Sequence, residues 1–122
     1  MIHPALAELS FCYVTTTGRV TGTPHRIEIW FAAAPESDTI YLLSGGRDRS
    51  DWVRNLVASP SCTVEIGADT FRGYGRVIEG TGEDETARRL VYEKYRTDDD
   101  LERWREEALP VAIDLSDDSR PA

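Results

Sequence analysis

The chain has 122 residues, with 14 Lys and Arg against 22 Asp and Glu, for a formal net charge of −8. That length suits one domain, and a domain of this size hides roughly two-thirds of its unfolded surface without staples. The acidic balance argues against nucleic acid and anionic membrane surfaces as partners, and no apolar run approaches the roughly 20 residues a membrane-spanning helix needs.

The charge is uneven. Residues 1–82 hold 7 basic and 9 acidic residues, whereas 83–122 hold 7 and 13. Thirteen of the 14 basic residues are Arg, and Lys94 is the single lysine. Cys12 and Cys62 sit in separate strand-like runs without C-x-x-C spacing. They are expected to be buried, reduced thiols in a cytoplasmic protein, and neither a disulfide scaffold nor a zinc site is expected. The N-terminus lacks a charged stretch followed by a long apolar run, so no signal peptide is expected.

Residues 1–10 read as an N-terminal segment. The β-branched and aromatic run "FCYVTT" (11–16) predicts the first strand. The turn that follows, through His25, is rich in Gly, Thr and Arg. Then "HRIEIWFAAA" (25–34) alternates, with Ile27, Ile29 and Phe31 on one face and Arg26, Glu28 and Trp30 on the other. "PESD" is a turn that would pair this strand as a hairpin with "TIYLLS" (39–44). Gly45 and Gly46 break that strand. A short helix follows, capped by Ser50 and running to about Ala58, with Trp52, Val53, Leu56 and Val57 on its docking face.

"CTVEI" (62–66) and "TFRGYGRVIEG" (70–80) predict two more strands, and Gly73 and Gly75 on one face of the second imply sharp curvature or close backbone approach. A helix over 81–95, capped by Thr81, buries Ala87, Leu90, Val91 and Tyr95. A polar break (96–100), a second helix (101–109), a last strand (110–115) and a disordered tail (116–122) complete the chain. The fold expected is mainly β with flanking helices, a six-stranded antiparallel barrel over 11–115.

Two segments carry chemistry. In the first, Gly18 and Gly22 free the backbone to converge its N–H groups, and Thr21, Thr23, Arg19 and Arg26 add donors that suit a phosphate. An ordinary polar loop with its arginines in solvent fits the same composition. In the second, Ser44-Gly45-Gly46 ends a strand, and Trp52 and Asn55 lie one helical turn apart. Core packing also accounts for Trp52. Two histidines and two scattered cysteines make no metal site. A chain with so few acid and base groups in apolar settings points to chemistry supplied by a cofactor.

These segments resemble the split β-barrel flavin and deazaflavin oxidoreductases, specifically the deazaflavin-dependent nitroreductase and quinone reductase group. That family reads roughly T-x-G-R-K-S-G-x-P-R on its first hairpin. This chain has Thr16, Thr17, Gly18, Arg19, Val20, Thr21, Gly22, Thr23, Pro24 and His25. The family's S-x-G-G and W-x-x-N-L-x-A-x-P are matched by Ser44-Gly45-Gly46 and by the run from Trp52 and Asn55 to Pro60.

The resemblance implies F420, an 8-hydroxy-5-deazaflavin with a phosphodiester and an oligoglutamate tail, or FMN as in relatives. It implies that Gly18, Arg19, Thr21, Gly22, Thr23, His25 and Arg26 hold the phosphate. Ser44, Gly45 and Gly46 would meet the ring, with Trp52 and Asn55 bordering it. Ser44, Tyr13 and Tyr41 become candidates for polarising the ring or delivering a proton. The implied reaction is hydride transfer to a small planar acceptor: a quinone, a nitroaromatic or an activated enone. A non-catalytic ligand carrier on the same barrel is the alternative, and a homodimer is the implied assembly. Val20 and His25 depart from the family's Lys and Arg, which weakens the expected grip on a long anionic tail and keeps FMN open. With about ten residues before the first strand, a lid helix would be short or absent.

Overall fold

The structure, a computed structural model, describes residues 2–95 and 101–116. The expected polar break at 96–100 and the tail beyond 116 lie outside the described residues. Seven strands form one sheet: β1 (Cys12–Thr17), β2 (Pro24–Ile29), β3 (Ala32–Ala33), β4 (Thr39–Ser44), β5 (Ser61–Ile66), β6 (Asp69–Val77) and β7 (Leu109–Ser116). The helices are α1 (Pro4–Ala7), α2 (Asp51–Ala58), α3 (Asp84–Tyr95) and α4 (Leu101–Glu107). The order across the sheet is β2-β1-β5-β6-β7-β4-β3, antiparallel throughout. It curls into a split β-barrel with helices at its flanks.

The seventh strand corrects the expected six. The run predicted as one strand over 25–34 breaks at Trp30 and Phe31. Its first part, in β2, pairs with β1, and Ala32 and Ala33, as β3, pair with β4 at the opposite end of the sheet. The expected hairpin with 39–44 is thus reduced to Ala32 opposite Tyr41 and Ala33 opposite Ile40. The cause is closure: a segment that serves both ends of a curled sheet must leave one ladder before joining the other. At the break, side chains of α3 replace strand partners. Phe31 N–H donates to the Tyr95 hydroxyl at 3.1 Å, and Lys94 Nζ donates to the Phe31 carbonyl at 2.8 Å.

Alternation along the strands sorts apolar residues onto two cores. Inside the barrel lie Cys12, Val14, Phe31, Ile40, Leu42, Val64, Ile66, Val111 and Ile113. Ile2 is buried there too, and Leu6 packs against it, so the N-terminal segment contributes to this packing. Outside, Tyr41, Leu43 and Ala112 of the sheet meet Ala87 and Val91 of α3.

Gly73 and Gly75 permit close approach. A Cβ at Gly75 would stand 2.9 Å from both Leu56 methyls, and one at Gly73 would stand 2.6 Å from Ile113 Cγ2. Helix α2 therefore seats Val53 and Leu56 in the barrel core. Val57, expected on that docking face, is instead 67% exposed.

Candidate functional site

The donor-rich turn between β1 and β2 is closed by its own backbone. Gly18 N–H donates to the Thr23 carbonyl and Gly22 N–H to the Gly18 carbonyl, each at 2.8 Å. Gly22 has φ of +76°, a left-handed conformation that disfavours a side chain. Gly18 has no room for one, because a Cβ would lie 2.9 Å from the Thr23 carbonyl and 3.0 Å from the His25 ring. The Thr21 and Thr23 hydroxyls hydrogen-bond to each other at 2.6 Å.

Helix α2 aims the turn's arginine. Asn55 Oδ1 accepts from Arg19 Nη1 at 2.9 Å and from Arg19 N–H at 3.2 Å. Arg19 Nη2 meets Asp51 Oδ1 at 3.2 Å. Asn55 Nδ2 in turn donates to Thr16 Oγ1 at 3.1 Å, and both residues are buried. A buried amide must be satisfied, and here its satisfaction locks turn to helix.

The second segment is tied to the same helix. Ser44 Oγ donates to the Arg47 carbonyl at 2.9 Å and lies 2.8 Å from Ser50 Oγ. With the Ser44 proton so placed, Ser50 is the donor between the two hydroxyls. Ser50 was expected to cap α2, but its hydroxyl makes no cap bond and is directed to Ser44 instead. A Cβ on Gly46 would fall 2.6 Å from Ser50 Oγ, so glycine is needed for this pair to form. Gly45 has more room: a Cβ there would meet the Trp104 indole at 3.6 Å. Trp104 packs edge-on to Trp30, which stacks on Tyr95. No periodicity in the sequence placed Trp104 beside Gly45, because α4 reaches it from the far end of the chain.

Other candidates stand apart. Arg26 lies on the outer face of the barrel, bonded to Glu65 at 3.1 and 3.4 Å, with its guanidinium 3.8 Å from the Tyr13 ring centroid. Tyr13 donates to Glu28 at 2.9 Å, and that bond raises its pKa. Tyr41 faces α3 and donates to Glu83 at 2.7 Å; burial, then this bond, pushes its pKa up to about 12. Neither phenol is brought to Ser44. Trp52 is half-buried against the barrel core. Val20 is 86% exposed. Among the described residues no His, Cys, Asp and Glu cluster could hold a metal.

A groove of about 440 Å³ opens beside the turn, from Gly22 and Pro24 to Arg72 of β6. It exists because the β1–β5 ladder stops at Thr15 opposite Thr63, leaving Thr16 and Thr17 unpaired with β5. Sequence reasoning did not find it, since where a ladder ends is a property of the curled sheet. Hydroxyls, a pre-aimed guanidinium and a glycine-shaped turn fit a phosphate-bearing ring cofactor of the kind the motifs imply.

The family model described as F420H(2)-dependent quinone reductase matches residues 4–116. Solved structures share the fold. An F420-H2-dependent reductase aligns with a TM-score of 0.68 at 22% identity over 88% of this chain and 94% of its own. A protein described as an F420 reductase aligns at 0.64 and 17% identity over 95% and 94%. HutZ, the heme storage protein from Vibrio cholerae, aligns at 0.70 and 13% identity over 88% and 82%. A search of curated proteins returned no match.

Proposed function

Because the chain belongs to the F420H(2)-dependent quinone reductase family, oxidoreductases that use F420, we propose that it reduces a small planar acceptor, a quinone, nitroaromatic or activated enone, held in front of Gly45 and Gly46. The observation that carries this reading is convergence. Ser50, 2.8 Å from Ser44, and Asp51, 3.2 Å from Arg19, are consecutive residues at the start of α2. Two adjacent residues at the start of one helix thus tether the ring segment and the phosphate segment to each other.

When bound, the reduced deazaflavin supplies the hydride. The chain's own residues bind and orient. Arg19 and the Thr21 and Thr23 hydroxyls grip phosphate, on a turn that Gly18 and Gly22 shape with N–H groups already spent on its own carbonyls. Arg19, already steered by Asn55, loses less side-chain freedom on binding and exchanges the exposed Asp51 for the ligand. The Ser44 proton is committed to the Arg47 carbonyl, so Ser44 offers an oxygen lone pair, and the donors beside it are the Gly45 and Gly46 N–H groups. Tyr13 and Tyr41 are tied to Glu28 and Glu83, so the proton for the product comes from water.

The test is a parallel titration of apo-protein with F420 and FMN, read by fluorescence and melting temperature. A ligand at a hundred times its Kd adds about 2.7 kcal/mol to stability. F420 binding at micromolar Kd or tighter, without comparable FMN binding, is expected. FMN is the rival because Arg19 and Arg26 are each neutralised by a carboxylate; tighter FMN binding would make Val20 and His25 the decisive departures. No shift with either ligand overturns the reading. Turnover with menadione separates an enzyme from a carrier. Homodimers would form through barrel strands, since 83–122 carries 13 acidic residues against 7 basic and repels its own copy; a monomer mass in light scattering at micromolar concentration overturns this.

A further inference from the structure

The sheet has one open edge. β3, at one end of the strand order, is Ala32 and Ala33 alone and packs with α3. β2, at the other end, spans Pro24–Ile29 and pairs on one side only, with β1. Its outward-facing N–H and C=O groups have no hydrogen-bond partner among the described residues. Such a row is a template for another strand. Pro24 blunts only the first position. Beyond it, Arg26 and Glu28 are exposed on the outer face, one on each side of Ile27, while Ile27 and Ile29 pack against the barrel core and are only partly covered.

We infer that β2 is the docking edge for β2 of a second copy, antiparallel about a two-fold axis that falls between the two Ile27 residues. The pattern of charges selects this register. Residues directly opposite each other share a face, so each residue must meet one of its own parity, and the axis falls between two copies of one residue. An axis at Arg26 sets two guanidiniums against each other, and an axis at Glu28 sets two carboxylates against each other. Axes nearer either end of the strand shorten the ladder. The axis at Ile27 sets Arg26 against the partner's Glu28 and Glu28 against the partner's Arg26. It also joins Ile27 to the partner's Ile27 over the core and leaves Pro24, which has no N–H, outside the ladder. Both charged groups have capacity to spare. Arg26 gives Nε and Nη2 to Glu65, which leaves Nη1, and Glu28 takes the Tyr13 proton on Oε1, which leaves Oε2. A chain of net charge −8 repels its copy over most of its surface, and β2 is a place where alternating charges turn that repulsion into attraction. The inference rests on the homodimer in the function proposed above, and adds its strand and register; it does not depend on the cofactor.

The experiment measures the mass of the full chain by light scattering at micromolar concentration for wild type, Arg26→Glu, Glu28→Arg and an equimolar mixture of the two variants. Either reversal alone sets like charges opposite each other on both sides of the axis. Each variant should therefore associate roughly a hundredfold more weakly than wild type and run as a monomer. In the mixture opposite charges face each other again, and the dimer should return. Both side chains are exposed, so unchanged melting temperatures verify the variants' folds. If a reversal lowers the melting temperature, Arg26→Gln and Glu28→Gln replace the pair. Each should then weaken association about tenfold, and their mixture, which regains one charge pair, should recover part of it. A dimer that survives both substitutions overturns the β2 interface while leaving the homodimer intact through another surface. A mixture of folded variants that stays monomeric overturns the register. A monomeric wild type overturns the interface together with the homodimer, and leaves the cofactor reading to its own titration.

Discussion

Asn55 does at one position what two motifs require together. Its amide takes two hydrogen bonds from Arg19 and gives one to Thr16, all from a buried site. Asn55→Ala leaves the Thr16 hydroxyl and the Arg19 N–H without that partner, so it should cost about 1–3 kcal/mol of stability and weaken F420 binding as well. Urea denaturation and titration check both; lost stability with unchanged affinity would remove Arg19 from the phosphate grip. Gly45 separates the same two effects differently. A methyl there meets Trp104 at ordinary contact distance, so Gly45→Ala should melt like wild type yet bind the cofactor at least tenfold more weakly if a ring abuts that backbone. Equal affinity would exclude the contact. The pairing of Arg19 with Asn55 was only half legible. The spacing of Trp52 and Asn55 marks a helix face, but nothing local says that the amide turns toward Thr16 and the indole toward the core.

At the scale of elements, α2 and β6 fit because Gly75 offers no side chain to Leu56. Gly75→Ala places a Cβ 2.9 Å from both Leu56 methyls, and overpacking of this kind costs about 1–3 kcal/mol; a denaturation midpoint equal to wild type would contradict that packing. The curvature was readable from two glycines on one strand face. The strand break at Trp30 and Phe31 was not, because the alternation of Ile27, Ile29 and Phe31 continues through it while the ladder partners change. A second joint between elements is ionic. Arg76 of β6 bonds Asp114 of β7 at 2.8 Å and Glu83, just before α3, at 2.5 Å. Arg76 holds both carboxyls below their ordinary range, and the Gly80 N–H does so first for Asp84, followed by Arg88. Groups with lowered pKa stabilise the fold above their ordinary values, and that contribution is lost as pH falls through the folded values. Stability should therefore decline below about pH 4.5, the ordinary value for Glu83, and Arg76→Met should flatten that decline. Parallel acid limbs for the two proteins would show that the network contributes nothing measurable.

For the whole molecule, the elements other than α1 and β3 followed from periodicity and turn signals, and the motif order named the barrel that the family match supports. What stayed hidden was long-range: which strands flank which, where the β1–β5 ladder stops, and that Tyr41 faces α3 while Tyr13 faces solvent-side Glu28. These are set by closure, and no window of sequence contains closure. The split in charge between the two parts of the chain follows the architecture as well, since the acidic residues 83–122 supply α3, α4 and β7, while the groove and turn belong to the nearly neutral first 82 residues.

Trp30 and Phe31 are the whole connection between the first and last strands of the sheet order. Each of these end strands nevertheless finds its partner close by in the chain: β2 folds back on β1 across residues 18–23, and β3 on β4 across 34–38. The distant pairings are β1 with β5 and β4 with β7, and they carry a loop-closure entropy that the two hairpins do not. Amides of the β1–β2 and β3–β4 hairpins should therefore gain protection earlier in refolding than those that join β1 to β5 and β4 to β7; pulse-labelling hydrogen exchange that finds the reverse order would contradict this.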